Sequence, residues 1–397
     1  MSKLNLAILD SDVRYMDNFA GYVTGHYRHR FNLSTFTSAE ALIGYIRQKG
    51  ARVDILLISV AEYGDWLTKL DPGLIILLSG AAQQDERLAS RGIEGFGSVE
   101  RYCGADKLVA DILKIYANSE KQPVYTETVH GDGENKIITI ISAEGGSGRT
   151  SIAIALSAHF SKLKLKTLYI CLDFMGGGEF ASDDEMDGGL SDIIYTLKTR
   201  PDRLGLKMEA LGKSAPGAGF FYFSPPLYPM DVDEITSADI ETLIAGLRGA
   251  AIYDRVVIDT HNGLSLRNKT LIELADSILL VSGNAGAGIK KLHMLKAQID
   301  KSFGAQAGDI YKRFHIILNR VYFNNQAAPN GRPSGFAGGY DTETALDESA
   351  EGIAGAFLAK VTVLPFCADM CGDYDPGALA GISGGFGAAI AEVARRA

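Results

Sequence analysis

Residues 136–155 read KIITIISAEGGSGRTSIAIA. Ile137, Ile138, Ile140 and Ile141 lie in a run of β-formers, the pattern of a strand buried on both faces. Glu144, Gly145, Gly146, Ser147 and Gly148 follow as a short loop, and Ile152, Leu156 and Phe160 then recur at helical spacing. Strand, glycine loop and helix, in that order, are the parts of a phosphate cradle. Glycines let backbone N–H groups turn inward around an anion, and the helix N-terminus adds the positive end of its dipole. Against the pattern G-x-x-x-x-G-K-[ST], Ala143 stands at the first glycine and Arg149 at the lysine. Thr150 takes the position whose hydroxyl meets Mg²⁺. A dinucleotide fingerprint fits less well, because Ser151 falls where its last glycine belongs. The alternative reading of this stretch alone is an ordinary glycine-rich βα turn.

The chain has 397 residues, enough for two or three domains, and 46% of them are hydrophobic, enough for a core in each. Its apolar runs, such as 74–78, are far too short to span a bilayer. The N-terminus lacks a basic stretch followed by a long apolar core, so no secretory signal is expected. Cys103, Cys171, Cys367 and Cys371 are scattered, and no second Cys/His pair completes a zinc site. Reduced cytosolic thiols are the expectation. The net charge is −9, and the excess of acid lies after residue 117, where 26 basic residues face 34 acidic ones. That balance argues against nonspecific DNA binding, which needs a basic surface.

Residues 1–117 alternate strand and helix patterns. Strands are predicted at 4–9, 31–36, 53–60 and 74–78, and helices at 13–23, 39–46 and 107–116. Such βα units imply an open parallel sheet with its site at the carboxyl ends of the strands. Residues 118–135, NSEKQPVYTETVHGDGEN, are polar and aperiodic and read as an interdomain linker. The βα rhythm resumes over 136–397. Strands are predicted at 167–172, 220–223, 255–258, 277–281, 315–318 and 361–364, and helices at 235–247 and 289–303. Residues 324–340 read as a loop, and 183–187 as an acidic, solvated one.

The first part resembles response-regulator receiver domains. Asp10 and Asp12 match the acidic pair after the first strand, Ser79 the hydroxyl residue of the fourth, and Arg101 the basic residue near the fifth. Ser59 stands where the phosphoacceptor aspartate belongs. The resemblance therefore implies a receiver-like, flavodoxin-like domain that docks proteins and is not phosphorylated by the usual chemistry. Asp10 and Asp12 form either a weak cation site or, preferably, a solvated turn.

The second part resembles the deviant Walker A ATPases of the MinD/ParA group. The group's K-G-G-x-G-K-[ST] aligns with Glu144-Gly-Gly-Ser-Gly-Arg149-Thr150, and YDRVVIDT aligns with the Walker B strand. The resemblance implies a doubly wound P-loop NTPase sheet that binds ATP and Mg²⁺. It implies that Thr150 and Asp259 hold the metal and that Asp173 orients the attacking water beside Arg149. It also implies that Glu144, Gly145, Gly146, Ser147, Gly148, Arg149, Thr150 and Ser151 cradle the phosphates. Asn319, Arg320, Pro365 and Phe366 would surround the base. Glu144, in place of a lysine, would repel a triphosphate unless it turns away to a basic group.

A receiver-like domain, a linker and a MinD/ParA-like domain together resemble the TadZ/CpaE family of tight-adherence (Flp) pilus assembly. That resemblance implies a cytoplasmic homodimer at the cell pole or inner membrane face, with pilus or secretion machinery proteins as partners. ATP turnover would be slow, with the nucleotide linked to dimerisation. Competing readings are a ParA-type partitioning ATPase, a non-hydrolysing docking module and a metabolic P-loop enzyme of the dethiobiotin synthetase kind. The C-terminal GGFGAAIAEVARRA leaves peripheral membrane association open, with a packed final helix the better reading.

Overall fold

The computed structural model describes residues 3–28, 30–49, 51–70, 73–80, 97–119, 135–173, 189–283, 286–321, 352–353, 355, 357, 359–365 and 384–397. Residues 120–134 of the expected 118–135 linker, the stretches 183–187 and 324–340, Cys367 and Cys371 lie outside the described residues. The chain divides into two compact units. One is Met1–Val129 with Asp202–Leu211, and the other is His130–Pro201 with Gly212–Ala397.

The first unit runs β1 (Leu4–Leu9), α1 (Val13–His26), β2 (Phe31–Phe36), α2 (Ala39–Lys49), β3 (Ile55–Ser59), β4 (Leu74–Ser79), β5 (Gly97–Glu100) and α3 (Ala105–Asn118). Among the described residues, five strands pair in parallel in the order β2-β1-β3-β4-β5, the flavodoxin-like order. Every residue of β3 is buried, which is why ILLIS reads as an unbroken apolar run. Asp12 caps α1 by accepting from the Tyr15 N–H, so the acidic turn also starts a helix. The face of α3 carrying Leu108, Val109, Ile112, Leu113 and Tyr116 is buried on the sheet.

The other unit opens with β6 (Lys136–Ser142), α4 (Arg149–Lys162), β7 (Thr167–Leu172) and α5 (Gly189–Thr199). The chain then returns to the first unit for α6 (Leu204–Leu211), whose Ala210 and Leu206 join the core beneath α3. There Lys207 donates to Asn118 Oδ1 at 2.8 Å, Arg203 reaches the carbonyls of Ala117 and Ser119, and Arg30 pairs with Glu209 at 3.1 Å. The Arg203 guanidinium thereby satisfies carbonyls that the end of α3 leaves bare. A contiguous assignment of 136–397 to one body does not anticipate this helix.

The second unit continues with β8 (Lys213–Ser214), β9 (Phe221–Tyr222), α7 (Pro229–Asp233), α8 (Ser237–Ala250), β10 (Arg255–Thr260), α9 (Leu266–Leu274), β11 (Ser277–Gly283), α10 (Gly286–Phe303), α11 (Ala307–Tyr311), β12 (Phe314–Val321), β13 (Lys360–Pro365) and α12 (Gly384–Arg396). Among the described residues, eight strands lie in the order β13-β12-β11-β6-β10-β7-β9-β8, parallel except for β8 at the edge. Both sheets are doubly wound α/β, as the alternating patterns predict. Helices α5, α6 and α9 carry no prediction of their own in the sequence reading.

β6 lies between β10 and β11, so the loop after β6 emerges at the middle of the sheet. The helix that follows is buried almost all round, with Ile152, Ile154, Leu156 and Phe160 in the core. Burying each such side chain contributes about 1.5–3 kcal/mol, which anchors the loop to a rigid base. Phe386, Ile390 and Val393 of α12 join the same core. The apolar face of the C-terminal helix is therefore packed within the unit. Among the described residues no helix is long and apolar enough to cross a membrane.

Candidate functional site

The loop after β6 is shaped by two glycines in the left-handed region, Gly146 at φ +68° and Gly148 at φ +87°. Gly148 precedes the first turn of α4 and no side chain caps that turn. A Cβ at Gly148 would stand 2.2 Å from Asn319 Nδ2, so glycine is needed there for space as well as for conformation. Asn319 lies near the carboxyl end of β12, and its amide donates to the Ser147 carbonyl at 2.8 Å. It thus clasps the loop itself. The Ser147 hydroxyl is buried and has no partner among the described residues. An uncapped helix start and an unsatisfied buried hydroxyl suit phosphate oxygens.

Three residues implied for the chemistry meet beside this loop. Arg149 is 8% exposed and Asp259 fully buried. The Arg149 Nε donates to Asp259 Oδ1 at 2.5 Å, and Nη2 donates to Asp173 Oδ2 at 2.7 Å. Its Nη1 reaches Ser142 Oγ at 3.3 Å. The second Asp259 oxygen accepts from Thr150 Oγ1 at 2.7 Å and from the Tyr169 hydroxyl at 3.3 Å. Burial works against the charge on Arg149, but Asp259 and then Asp173 outweigh it and raise its pKa. Complete burial pushes the Asp259 carboxyl up, against the pull of Arg149 and Thr150.

The residues present fit the phosphates of a nucleotide. They do not fit, as they stand, the divalent cation that the resemblance implies. Thr150 and Asp259 are together, but both Asp259 oxygens are engaged within the protein and a guanidinium bridges the two carboxylates. The bulk and fork of arginine explain this, since a compact ammonium could not span both acids in one plane.

Glu144 does not face the cradle with a free charge. Its Oε1 accepts from the Gly283 N–H at 3.1 Å, and its Oε2 pairs with Lys291 at 3.5 Å. The carboxylate turns to the end of β11 and the start of α10, relieving the repulsion that its place in the motif suggests. Gly145 and Ser151 lie on the loop and in the first turn of α4 as expected. Pro365 ends β13, where its Cγ would lie 3.4 Å from a Cβ at Gly385 of α12. The Arg320 side chain and Phe366 lie outside the described residues.

The sequence reading passes over His261 and Arg267. Arg267 is buried, donates to the carbonyls of Val232 and Leu172, and its Nη2 lies 2.8 Å from His261 Nδ1. Burial, followed by the Arg267 charge, lowers the pKa of His261. Asn268 ties the same turn by donating to the carbonyls of His261 and Gly263. The available signal is position: His261 comes two residues after Asp259.

In the first unit the acidic turn after β1 is not simply solvated. Asp10 is buried, and Arg101 Nη2 holds Asp10 Oδ1 at 2.9 Å and Asp12 Oδ2 at 3.3 Å. The guanidinium also lies over the Tyr15 and Tyr102 rings. Ser59 ends β3 beside this pair. Its hydroxyl, Asp10 Oδ2 and Arg101 Nε are buried without partners among the described residues. Ser79 Oγ donates to the Val99 carbonyl at 3.2 Å, a bond internal to the sheet.

No protein-family model matches this chain, and no curated protein matches it. Solved structures similar to it include a ParA family ATPase from Chlorobium tepidum, at 15% identity over 66% of this chain and 98% of that one, with a TM-score of 0.47. The MinD cell division protein of Aquifex aeolicus is similar at 16% identity over 66% and 95%, with a TM-score of 0.47. The septum site-determining protein MinD of Pyrococcus horikoshii, complexed with Mg-ADP, is similar at 18% identity over 66% and 94%, with a TM-score of 0.41.

Proposed function

We propose that this chain is a nucleotide-binding localisation or scaffold protein for assembly of a tight-adherence (Flp) pilus or a related secretion machine. ATP binding is linked to homodimerisation, and turnover is slow. The layout supports the pilus reading, with a receiver-like unit lacking the phosphoacceptor carboxylate ahead of a P-loop unit. Its place of action is the cytoplasm, at the pole or the inner membrane face, with machinery proteins as partners.

The observation that carries the reading of the site is Arg149 held between Asp259 and Asp173. The loop offers a phosphate cradle, whereas the two acids that would order water and charge for hydrolysis are tied to the guanidinium. A basic group free to stabilise the transition state is worth about 10³–10⁵ in rate in phosphoryl transfer. A partitioning ATPase is disfavoured by the net charge of −9.

The test is calorimetric ATP binding to the full chain, with phosphate release and molecular mass measured on the same sample. Binding, a nucleotide-dependent shift to dimer and release far below about 1 s⁻¹, the lower end for kinases, are expected. Release at or above that rate overturns the slow-turnover reading. Absence of ATP binding leaves a docking module whose cradle is closed.

A further inference from the structure

We propose that Arg149 is the resident counterion of Asp259 and Asp173, standing in for a divalent cation, so that the nucleotide-free chain excludes Mg²⁺ from this pair and needs none to fold. The proposal concerns the chain's own carboxylates, and its test is separate from ATP binding.

Asp259 sits at the carboxyl end of β10, fully buried. A buried carboxylate must be paired and hydrogen-bonded or it loses its charge. Here Arg149 supplies the pair at 2.5 Å, and Thr150 and Tyr169 supply the hydrogen bonds at 2.7 and 3.3 Å. Both oxygens of Asp259 are thus engaged by the protein, Oδ1 by Arg149 and Oδ2 by Thr150 and Tyr169.

Asp173 lies at the end of β7, the strand beside β10, and its side chain is about a quarter exposed. The same guanidinium reaches it through a second nitrogen at 2.7 Å. One rigid planar cation thus links β10, β7 and the start of α4, the task a bound metal would perform between the same acids. A metal entering would have to displace a 91%-buried arginine side chain from both partners at once. Its charge would then be left beside the metal's own.

Other polar clusters and exposed faces of the molecule offer weaker cases. His315 is buried and bonded to Thr362, with nothing at it to define a ligand, and the Asp10–Ser59–Arg101 cluster lies where receiver domains are expected to work. The exposed side chains of Leu227, Tyr228, Met230 and Leu266 have nothing on them to define a partner.

The experiment is Mn²⁺ binding to the full chain without nucleotide, read by electron paramagnetic resonance, with thermal melting in EDTA alongside. The unaltered chain is expected to show no Mn²⁺ site that depends on Asp259, so Asp259→Asn leaves its Mn²⁺ isotherm unchanged. EDTA should leave its melting unchanged. Arg149→Met frees both acids and should gain one site, at least about tenfold tighter than any on the unaltered chain. Asp259→Asn in the Arg149→Met background should remove it. Because Arg149→Met strands a buried charge and can fail to fold, Arg149→Lys is the second variant. Its ammonium reaches one acid and should gain a weaker site. An Asp259-dependent Mn²⁺ site on the unaltered chain, or melting lowered by EDTA, overturns the proposal. Folded Arg149 variants that gain no site overturn it equally. If ATP fails to bind, the nucleotide reading falls while these measurements still decide the role of Arg149.

Discussion

Replacing Gly148 with alanine tests whether the cradle is built as described. The residue holds φ at +87° and ψ at 19°, a left-handed conformation that costs a residue with a Cβ about 1–2 kcal/mol. The new Cβ would also stand 2.2 Å from Asn319 Nδ2. Asn319 is 5% exposed, and its 2.8 Å bond to the Ser147 carbonyl would have to break. A buried polar group left without its partner costs about 1–3 kcal/mol. The two effects together predict a loss of about 2–5 kcal/mol.

The assay is equilibrium urea unfolding followed by far-ultraviolet circular dichroism. The single tryptophan, Trp66, lies in the other unit and would report that unit instead. Asn319→Ala removes the obstructing amide, so the double variant should be more stable than the sum of the single losses predicts. Residues in contact commonly couple by about 0.5–3 kcal/mol. A Gly148→Ala loss below about 0.5 kcal/mol, the level of neutral surface changes, would refute the conformation assigned to the loop. Strict additivity with Asn319→Ala would refute the contact.

His315 offers a pH test. Burial, helped by Arg396 and Lys360, lowers its pKa from 6.5 to about 4. The folded chain therefore binds fewer protons here than the unfolded chain between those values. Stability from this group is full above pH 6.5 and falls as pH drops toward 4, by roughly 1.4 kcal/mol per pH unit at the steepest. Urea unfolding across that window should show a steeper decline for the unaltered chain than for His315→Gln, and parallel curves would count against the burial of this ring. The Glu144–Lys291 pair, at 3.5 Å with a half-exposed lysine, should contribute no more than about 1 kcal/mol. Lys291→Ala is therefore nearly neutral in denaturation, whereas a large loss would mean the pair is more deeply buried than described. Thr236 and Asp239 form a capping box at the start of α8. Thr236→Ala should cost about 1 kcal/mol, and an unchanged midpoint would deny the cap.

Much of the architecture is legible along the chain because it rests on short-range regularities. Short, largely apolar runs such as ILLIS and TLYICL read as strands covered on both faces by their length and β-branched content, and their alternation with helical periodicity implies parallel sheets. The glycine loop of residues 144–148 announces itself between a strand and a helix. Helix α6 does not, because LGLKMEAL carries no mark of which core it will join; that is decided by the partners of Arg203, Lys207 and Ala210 near the end of α3.

The site divides in the same way. That Arg149, Asp173 and Asp259 belong to one neighbourhood is what the resemblance to the MinD/ParA group implies. Their present partnership does not, since Asp259 is 110 residues from Arg149 and Asp173 is 24 away. Glu144 has its partners 139 and 147 residues downstream, at Gly283 and Lys291. The strand-loop-helix cradle and the charges around it can be read along the chain. Which charge meets which is a matter of the folded sheet, because ion pairs there are set by strand adjacency and side-chain reach rather than by distance along the chain.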